Sequence, residues 1–521
     1  LGANTEPPSP SRPHLPSPEN DSLHLPTRQI EAAPPENRAF ADHAANKLTG
    51  TRTITLIKTQ HSASPHEPPN LFEVSSLDAK PPSTDWFTHD TQSVISLVKA
   101  FPYMKSTPMN TSLYTTILSV TIATSAIGAD TYRQTLSSVR ENLRIPSMEL
   151  HGKSVTPSAP NWSVTKSTLH GGKQEGVEVI TVDNGTLRFT VIPTRGMSIH
   201  RVEHSKLLLA WNSPVKEIVH PSFVNLYGRG GLGWLEGFNE WMVRCGLESN
   251  GHPGTDRIPK DDGTEATLDL TLHGKIGNIP ASEVELVIDQ TPPHRIRIRG
   301  RVDERMFYGP QLELQTEIST EPGSTAFRIS DTVTNRGGAP QEFEILYHGN
   351  YGSPLLEAGA KFVAPVSKVI PFNDHAAASI PSYDTFAAPT QGFAEQVYCM
   401  IPIADATGKT EALLHNKAAD RGVSMQFSPK ELPYLTLWKN TAADGEGYVT
   451  GIEPGTNFPN NRRIERKLGR VPKLAPGASH SATLDFTLLT DAAEVESAKK
   501  RIAAIQSKIK ATLESRPEKK D

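Results

Sequence analysis

The chain has 521 residues with 53 Lys+Arg against 57 Asp+Glu, a formal charge of −4, and this near balance excludes a protein built mainly to grip nucleic acid. Hydrophobic residues make up 36% and glycines number 37, enough apolar material for a large core. The two cysteines, Cys245 and Cys399, exclude a disulfide scaffold and a four-cysteine zinc module.

Residues 1–103 hold 15 of the 43 prolines but only 2 of the 37 glycines. Their apolar residues recur with neither a helical nor a strand period. Such a segment cannot bury enough surface to offset its ordering entropy and is expected to be disordered. At Met104 the text changes character. Lys105 is followed by an apolar run over 112–126, diluted by Thr and Ser, and then by the small residues Gly128 and Ala129. A cationic start, a short apolar middle and small residues at its end are the parts of a secretory signal peptide. The expectation is that translation starts at Met104, or else at Met109, with 1–103 a misassigned upstream segment; the plainer reading is a disordered tail followed by an ordinary buried strand. Cleavage near Gly128 or Ala129 then delivers a periplasmic or secreted protein, with no membrane contact once 104–129 is removed. Without that processing the chain is cytoplasmic.

From residue 130 the punctuation is that of a β protein. The β-branched runs 177–182 and 187–192 flank Asp183-Asn184-Gly185-Thr186, a strong hairpin signal. Alternating segments follow at 283–289, 295–301, 312–318, 326–333, 342–346 and 481–489, with Pro-Gly or Gly-Gly turns at 322–323, 337–338 and 476–477. Short strands with regular turns over this length predict an all-β fold of two large packed antiparallel sheets, spanning 130–490. The tail 491–521 differs: Val495, Ile502, Ile505, Ile509 and Leu513 fall near helical spacing, so a terminal amphipathic helix is expected over 492–513.

Four clusters interrupt the apolar strands. The block 228–246 places Gly228, Gly230, Gly231, Gly233 and Gly237 close together, with Trp234, Trp241 and Arg244. Glycines allow close backbone approach, tryptophans offer flat apolar faces and arginine a planar donor fork, a set that suits a sugar. A glycine-rich corner around core tryptophans is the plainer reading. His273 ends an alternating strand in Leu272-His273-Gly274. His348 does so again in Tyr347-His348-Gly349-Asn350, and Glu453 closes the strand before Pro454. Glutamate as base and histidine as acid make a proton-transfer pair for chemistry near neutral pH.

In order and context these motifs resemble aldose 1-epimerases (mutarotases) and the galactose-mutarotase-like superfamily, in a less characterised bacterial branch. The resemblance covers about 150–490 and includes Arg195-Gly-Met-Ser-Ile and His348-Gly-Asn-Tyr-Gly-Ser-Pro-Leu-Leu. It implies a β-supersandwich with a sugar in an open cleft. On that resemblance Glu453 is the general base at the anomeric hydroxyl and His348 the general acid at the ring oxygen. His273, Arg244 and Asn350 are implied as sugar-binding residues.

A small-molecule sugar is the expected partner. Rossmann, phosphate-loop and zinc-protease signatures are absent, so no cofactor and no metal are expected. Two other classes remain open. A non-catalytic carbohydrate-binding sandwich would keep the tryptophans and the arginine without needing Glu453 and His348. A lyase or hydrolase is the other, and a hydrolase needs a second carboxylate, for which Glu236, Glu240 and Asp384 are candidates. The basic run Arg462-Arg463-Ile464-Glu465-Arg466-Lys467 reads either as a solvated loop or as a clamp for an anionic sugar.

Overall fold

The computed structural model describes residues 131–259 and 262–520. The proline-rich segment 1–103 and the signal-like segment 104–129 lie outside them. Strands form where the alternation predicts. Glu178–Asp183 and Arg188–Ile192 pair antiparallel, and Asn184 Oδ1 closes their turn by accepting from Thr186 N at 2.9 Å and Leu187 N at 2.8 Å. Gly185 takes a φ of +88° there, which any β-branched residue would resist.

The described strands build two large antiparallel sheets, one of 10 strands and one of 13. In the smaller sheet Glu283–Asp289, Ile296–Arg305, Gln311–Thr320 and Ala326–Asn335 follow one another as neighbours, and Ser479–Leu489 adds beside the last. Period-two alternation sorts their side chains. Ile296, Ile298, Val302, Leu312, Leu314 and Ile329 are buried in the core between the sheets. The intervening arginines face out and pair across strands, Arg297 with Asp289 at 2.7 Å and Arg299 with Glu317 at 2.8 Å. The result is a sheet with one apolar and one charged face.

Five strands of the larger sheet matter for function: β1 (Met242–Leu247), β2 (Glu344–Tyr351), β3 (Gln396–Pro402), β4 (Tyr434–Asn440) and β5 (Val449–Gly455). In space they run β3-β4-β5-β2-β1, each antiparallel to its neighbour. Met242, Tyr347, Tyr398, Leu437 and Ile452 point into the main core. Their neighbours Val243, Cys245 and Leu346 point the other way, into a second cluster with Trp234 and Phe238. That second cluster roofs the outer face of the sheet. Its glycine-rich chain is pressed against its surroundings: a β-carbon on Gly233 would run into the Asn225 carbonyl.

The terminal helix forms, but over Ala492–Gln506 and not to Leu513. Asp491 caps it by accepting from Glu494 N at 2.8 Å, and Val495, Ala498 and Ile502 pack on Leu413 and Leu489. At its last residue the Gln506 amide bonds sideways, accepting from Val366 N at 2.7 Å and donating to Val366 O at 3.0 Å. Beyond it Thr512–Leu513 pairs with the edge strand Val366–Pro371. No helix among the described residues is long and apolar enough to cross a membrane.

Candidate active site

His348 and Glu453 meet because of sheet register. On β2 and β5, Gly349 lies opposite Ile452 and Leu346 opposite Gly455, which sets His348 beside Glu453 on the outer face. Across β5 and β4, Glu453 lies opposite Thr436. His348 Nε2 and Glu453 Oε1 stand 3.2 Å apart, both side chains buried. Glu453 Oε1 is buried and has no hydrogen-bond partner within the protein. Gly451, two residues along the same face, leaves the room this carboxylate occupies, since a β-carbon there would collide with Oε1.

His273 arrives from a turn behind β1. Its backbone is left-handed, φ 58°, and is followed by Gly274 at φ +69°. Gly274 is obligatory because a β-carbon would strike the Ser249 and Gly246 carbonyls. Such strain in a non-glycine residue persists where the surroundings fix the site. The His273 and His348 rings meet edge to face with centroids 5.1 Å apart.

Hydrogen bonds decide which nitrogen of each ring is free. The Asn350 side-chain amide donates from Nδ2 to the Glu240 carbonyl at 3.0 Å and the His348 carbonyl at 3.2 Å. Its Oδ1 must therefore face His348 Nδ1, 2.8 Å away, so Nδ1 carries the proton and Nε2 looks toward Glu453. By the same logic His273 Nδ1 donates to the Asn250 carbonyl at 2.9 Å and its Nε2 is left as an acceptor.

These groups line one cavity of about 200 Å³ with Trp234, Phe238, Trp438 and Glu395. Trp234 meets His273 edge to face with ring centroids 4.6 Å apart, and Trp438 meets His348 in the same way at 5.5 Å. Burial dominates the electrostatics. It pushes the Glu453 carboxyl well above the usual carboxylate range, with Glu395 adding repulsion. It lowers His348 well below the usual imidazole value, helped by His273. His273 itself falls to about 4, mainly through burial. Burial therefore favours the uncharged form of each of the three, and favours the proton of the close pair on Glu453.

Three of the residues drawn from the sequence come together here: Glu453, His348 and His273. Asn350 stands behind them. Its amide is spent on His348 and two carbonyls, so it holds the imidazole and does not line the cavity. Arg244 is a correction. Alternation in β1 sends Val243 and Cys245 to the site face and Arg244 to the opposite one. There its guanidinium pairs with Asp331, donates to Thr316 Oγ1 at 2.7 Å and donates to the Met197 carbonyl at 3.0 Å. It joins the two sheets and touches no part of the cavity.

Two arginines of the basic run, Arg462 and Arg466, are held in ion pairs. The run forms a short helix, Arg462–Lys467, in which Arg462 pairs with Asp256 at 2.8 Å and Arg466 with both Asp256 and Glu342 at 2.7 Å. None of Glu236, Glu240 and Asp384 lines the cavity, and Glu240 is buried against Arg195 at 2.6 Å. The second carboxylate present is Glu395, which accepts from Trp438 Nε1 at 2.7 Å. Sequence reasoning passed over Glu395, Thr436 and Trp438. Alternation in Tyr434–Asn440 was the signal available for the last two. Cys245 and Cys399 are both buried and unpaired. Among the described residues no cluster of His, Cys, Asp and Glu is arranged to hold a metal ion.

The family model that matches, over residues 174–488, is described as a domain of unknown function, DUF4432. No curated protein matches the chain. Among solved structures, a Klebsiella pneumoniae protein provisionally named an aldose 1-epimerase is 42% identical, with a TM-score of 0.71, covering 75% of this chain and 100% of its own. A galactose mutarotase-like protein from Clostridium acetobutylicum is 15% identical at a TM-score of 0.43, covering 63% of this chain and 98% of its own. A galactose 1-epimerase from Lactobacillus acidophilus is 14% identical at 0.38, covering 62% and 98%; these two similarities are too slight to carry weight. With the match over 174–488 and the Klebsiella protein covered end to end, this chain belongs to the DUF4432 family, among the aldose 1-epimerase-like proteins of galactose-mutarotase-like β-sandwich fold.

Proposed function

We propose that this cavity binds a neutral free sugar and interconverts its anomers by acid–base ring opening. The observation that carries the reading is the buried His348–Glu453 pair, 3.2 Å apart, in a cavity that Trp234 and Trp438 also line. A neutral sugar fits because none of the residues lining the cavity is Lys or Arg; a uronate or sulfated sugar would meet no cation in the lining itself. The similarity to the Klebsiella protein adds the reaction class.

The pair holds one proton between its two members. A bound sugar donates its anomeric hydroxyl to the carboxylate and draws the shared proton across to His348 Nε2. Glu453 then takes the proton from O1 while His348 gives one to the ring oxygen. The C1–O5 bond breaks as C1–O1 becomes a carbonyl. Rotation about C1–C2 and the reverse transfers close the ring on the other face, returning the pair to its starting state. Asn350 keeps Nε2 in position, and His273 Nε2 accepts from a second sugar hydroxyl.

The pH dependence follows from the direction of the two shifts. The working state has one proton on the pair. Adding a second means charging His348, whose pKa is lowered, so the acid limb lies well below the ordinary imidazole midpoint of 6.5. Removing the first means ionising Glu453, whose pKa is raised, so the alkaline limb lies well above the ordinary glutamate midpoint of 4.5. The rate of anomerisation against pH is expected to show its acid limb below 6.5 and its alkaline limb above 4.5. An acid limb at or above 6.5, or an alkaline limb at or below 4.5, would contradict a neutral resting pair.

His273→Ala removes a hydrogen-bond acceptor but no member of the proton pair. Steady-state kinetics on the variant should give a raised KM with kcat little changed. An unchanged KM with a collapsed kcat would exchange the roles of His273 and His348.

A further inference from the structure

The anomerisation reading uses Glu453, His348 and His273, yet one more polar group faces the same cavity without a task. Of the side-chain polar atoms buried without a partner, three belong to lining residues: Glu453 Oε1, Trp234 Nε1 and Thr436 Oγ1. The indole nitrogen lies beside Gly277. Thr436 is different. It lies opposite Glu453 across the β4–β5 ladder, so the two side chains stand on one face roughly 5 Å apart at their β-carbons. The residue is 1% exposed. A threonine in a strand has its own main chain and its neighbours within reach, and here the hydroxyl bonds to none of them. A hydroxyl left bare at this depth opposes folding, and an alanine-sized or valine-sized residue would pack there without that penalty.

We infer that Thr436 is a further substrate-contacting residue, whose hydroxyl and the Glu453 carboxylate together hold the anomeric oxygen of the sugar. This rests on the anomerisation reading and extends it. O1 is a hydroxyl in the ring, sheds its proton to Glu453 and ends as the aldehyde oxygen of the open chain. Thr436 Oγ1 donates to O1 throughout, and the bond strengthens as O1 gathers negative charge between those two states. The threonine neither gains nor loses a proton in the cycle. Its position fixes which oxygen of the sugar meets the base, and so which carbon is inverted.

Thr436→Val keeps the shape and deletes the hydroxyl. Wild type, Thr436→Val and Thr436→Ser are compared with D-glucose, D-galactose, D-xylose and L-arabinose, by saturation-transfer NMR for the rate and by thermal melting for stability. The expected result is kcat/KM lower by about 10- to 100-fold in the valine variant, on the fastest sugar, with melting unchanged or raised. Serine should restore most of the rate. A valine variant within about twofold of wild type overturns the inference, and so does a marked loss of thermal stability, which would mean that the hydroxyl has a partner inside the fold. A wild type with no rate above buffer is the failure of anomerisation itself. Calorimetric binding of the same sugars then decides Thr436: weaker binding by the valine variant supports the contact, and equal binding or none overturns it.

Discussion

Glu453→Gln lowers the rate of anomerisation of bound sugar by about 10²–10⁴, the range for loss of an acid–base group. The substitution changes few atoms. Glutamine fills the same volume above Gly451, where no β-carbon intrudes on the side-chain oxygen, and its amide can still hydrogen-bond a sugar hydroxyl. Sugar affinity should therefore survive. What disappears is the carboxylic acid beside His348 Nε2 that stores and returns the shared proton. His348→Asn should have a similar effect, and the double variant should lose less than the product of the two, because the transfers act as a unit. Single-turnover or exchange rates at saturating sugar test this. A Glu453→Gln protein that keeps its wild-type rate would remove Glu453 from the chemistry whatever the fold.

Arg244→Ala should destabilise the protein by about 3–5 kcal/mol, the cost of stripping one partner from a buried ion pair. Both side chains of the Arg244–Asp331 pair are 1% exposed. Removing the guanidinium leaves the Asp331 carboxylate uncompensated between the sheets and also orphans Thr316 Oγ1 and the Met197 carbonyl, which it serves at 2.7 and 3.0 Å. The loss falls where one sheet is tied to the other. Urea denaturation should give a lower midpoint, while the folded fraction binds sugar as before. The opposite pattern, unchanged stability with weakened binding, would return Arg244 to the sugar.

The strands and the split into two sheets were legible because period-two alternation is a local property. Glu283–Asp289 forms just where Val, Leu and Ile alternate with polar residues. The order of His273, His348 and Glu453 was legible for a related reason: each interrupts an apolar strand near its end. What stayed hidden is non-local. Nothing in the residues around Glu453 tells that Thr436 lies opposite it, because that pairing is a matter of register between strands. The basic run read as free charge because its partners Asp256 and Glu342 are remote in the chain. Arg244 was misread for a different reason. Alternation within 242–247 already separates it from Val243 and Cys245, but arginine beside a glycine-rich, tryptophan-bearing block invites a ligand role that only the facing of the strand refuses. Trp241 repeats that lesson: it is buried in the main core, while Trp234 lines the cavity.

The central claim is that the His348–Glu453 cavity interconverts the anomers of a free neutral sugar. Two-dimensional exchange NMR watches that event directly, as cross-peaks between the α and β anomeric protons at equilibrium. Across a panel of neutral aldoses with uronates as counterparts, the account predicts exchange well above the buffer rate for at least one neutral sugar. That exchange should be lost in Glu453→Gln and absent for the uronates. Sugar that binds tightly yet exchanges no faster than in buffer, across the whole panel, would contradict the claim and leave a carbohydrate-binding sandwich in its place.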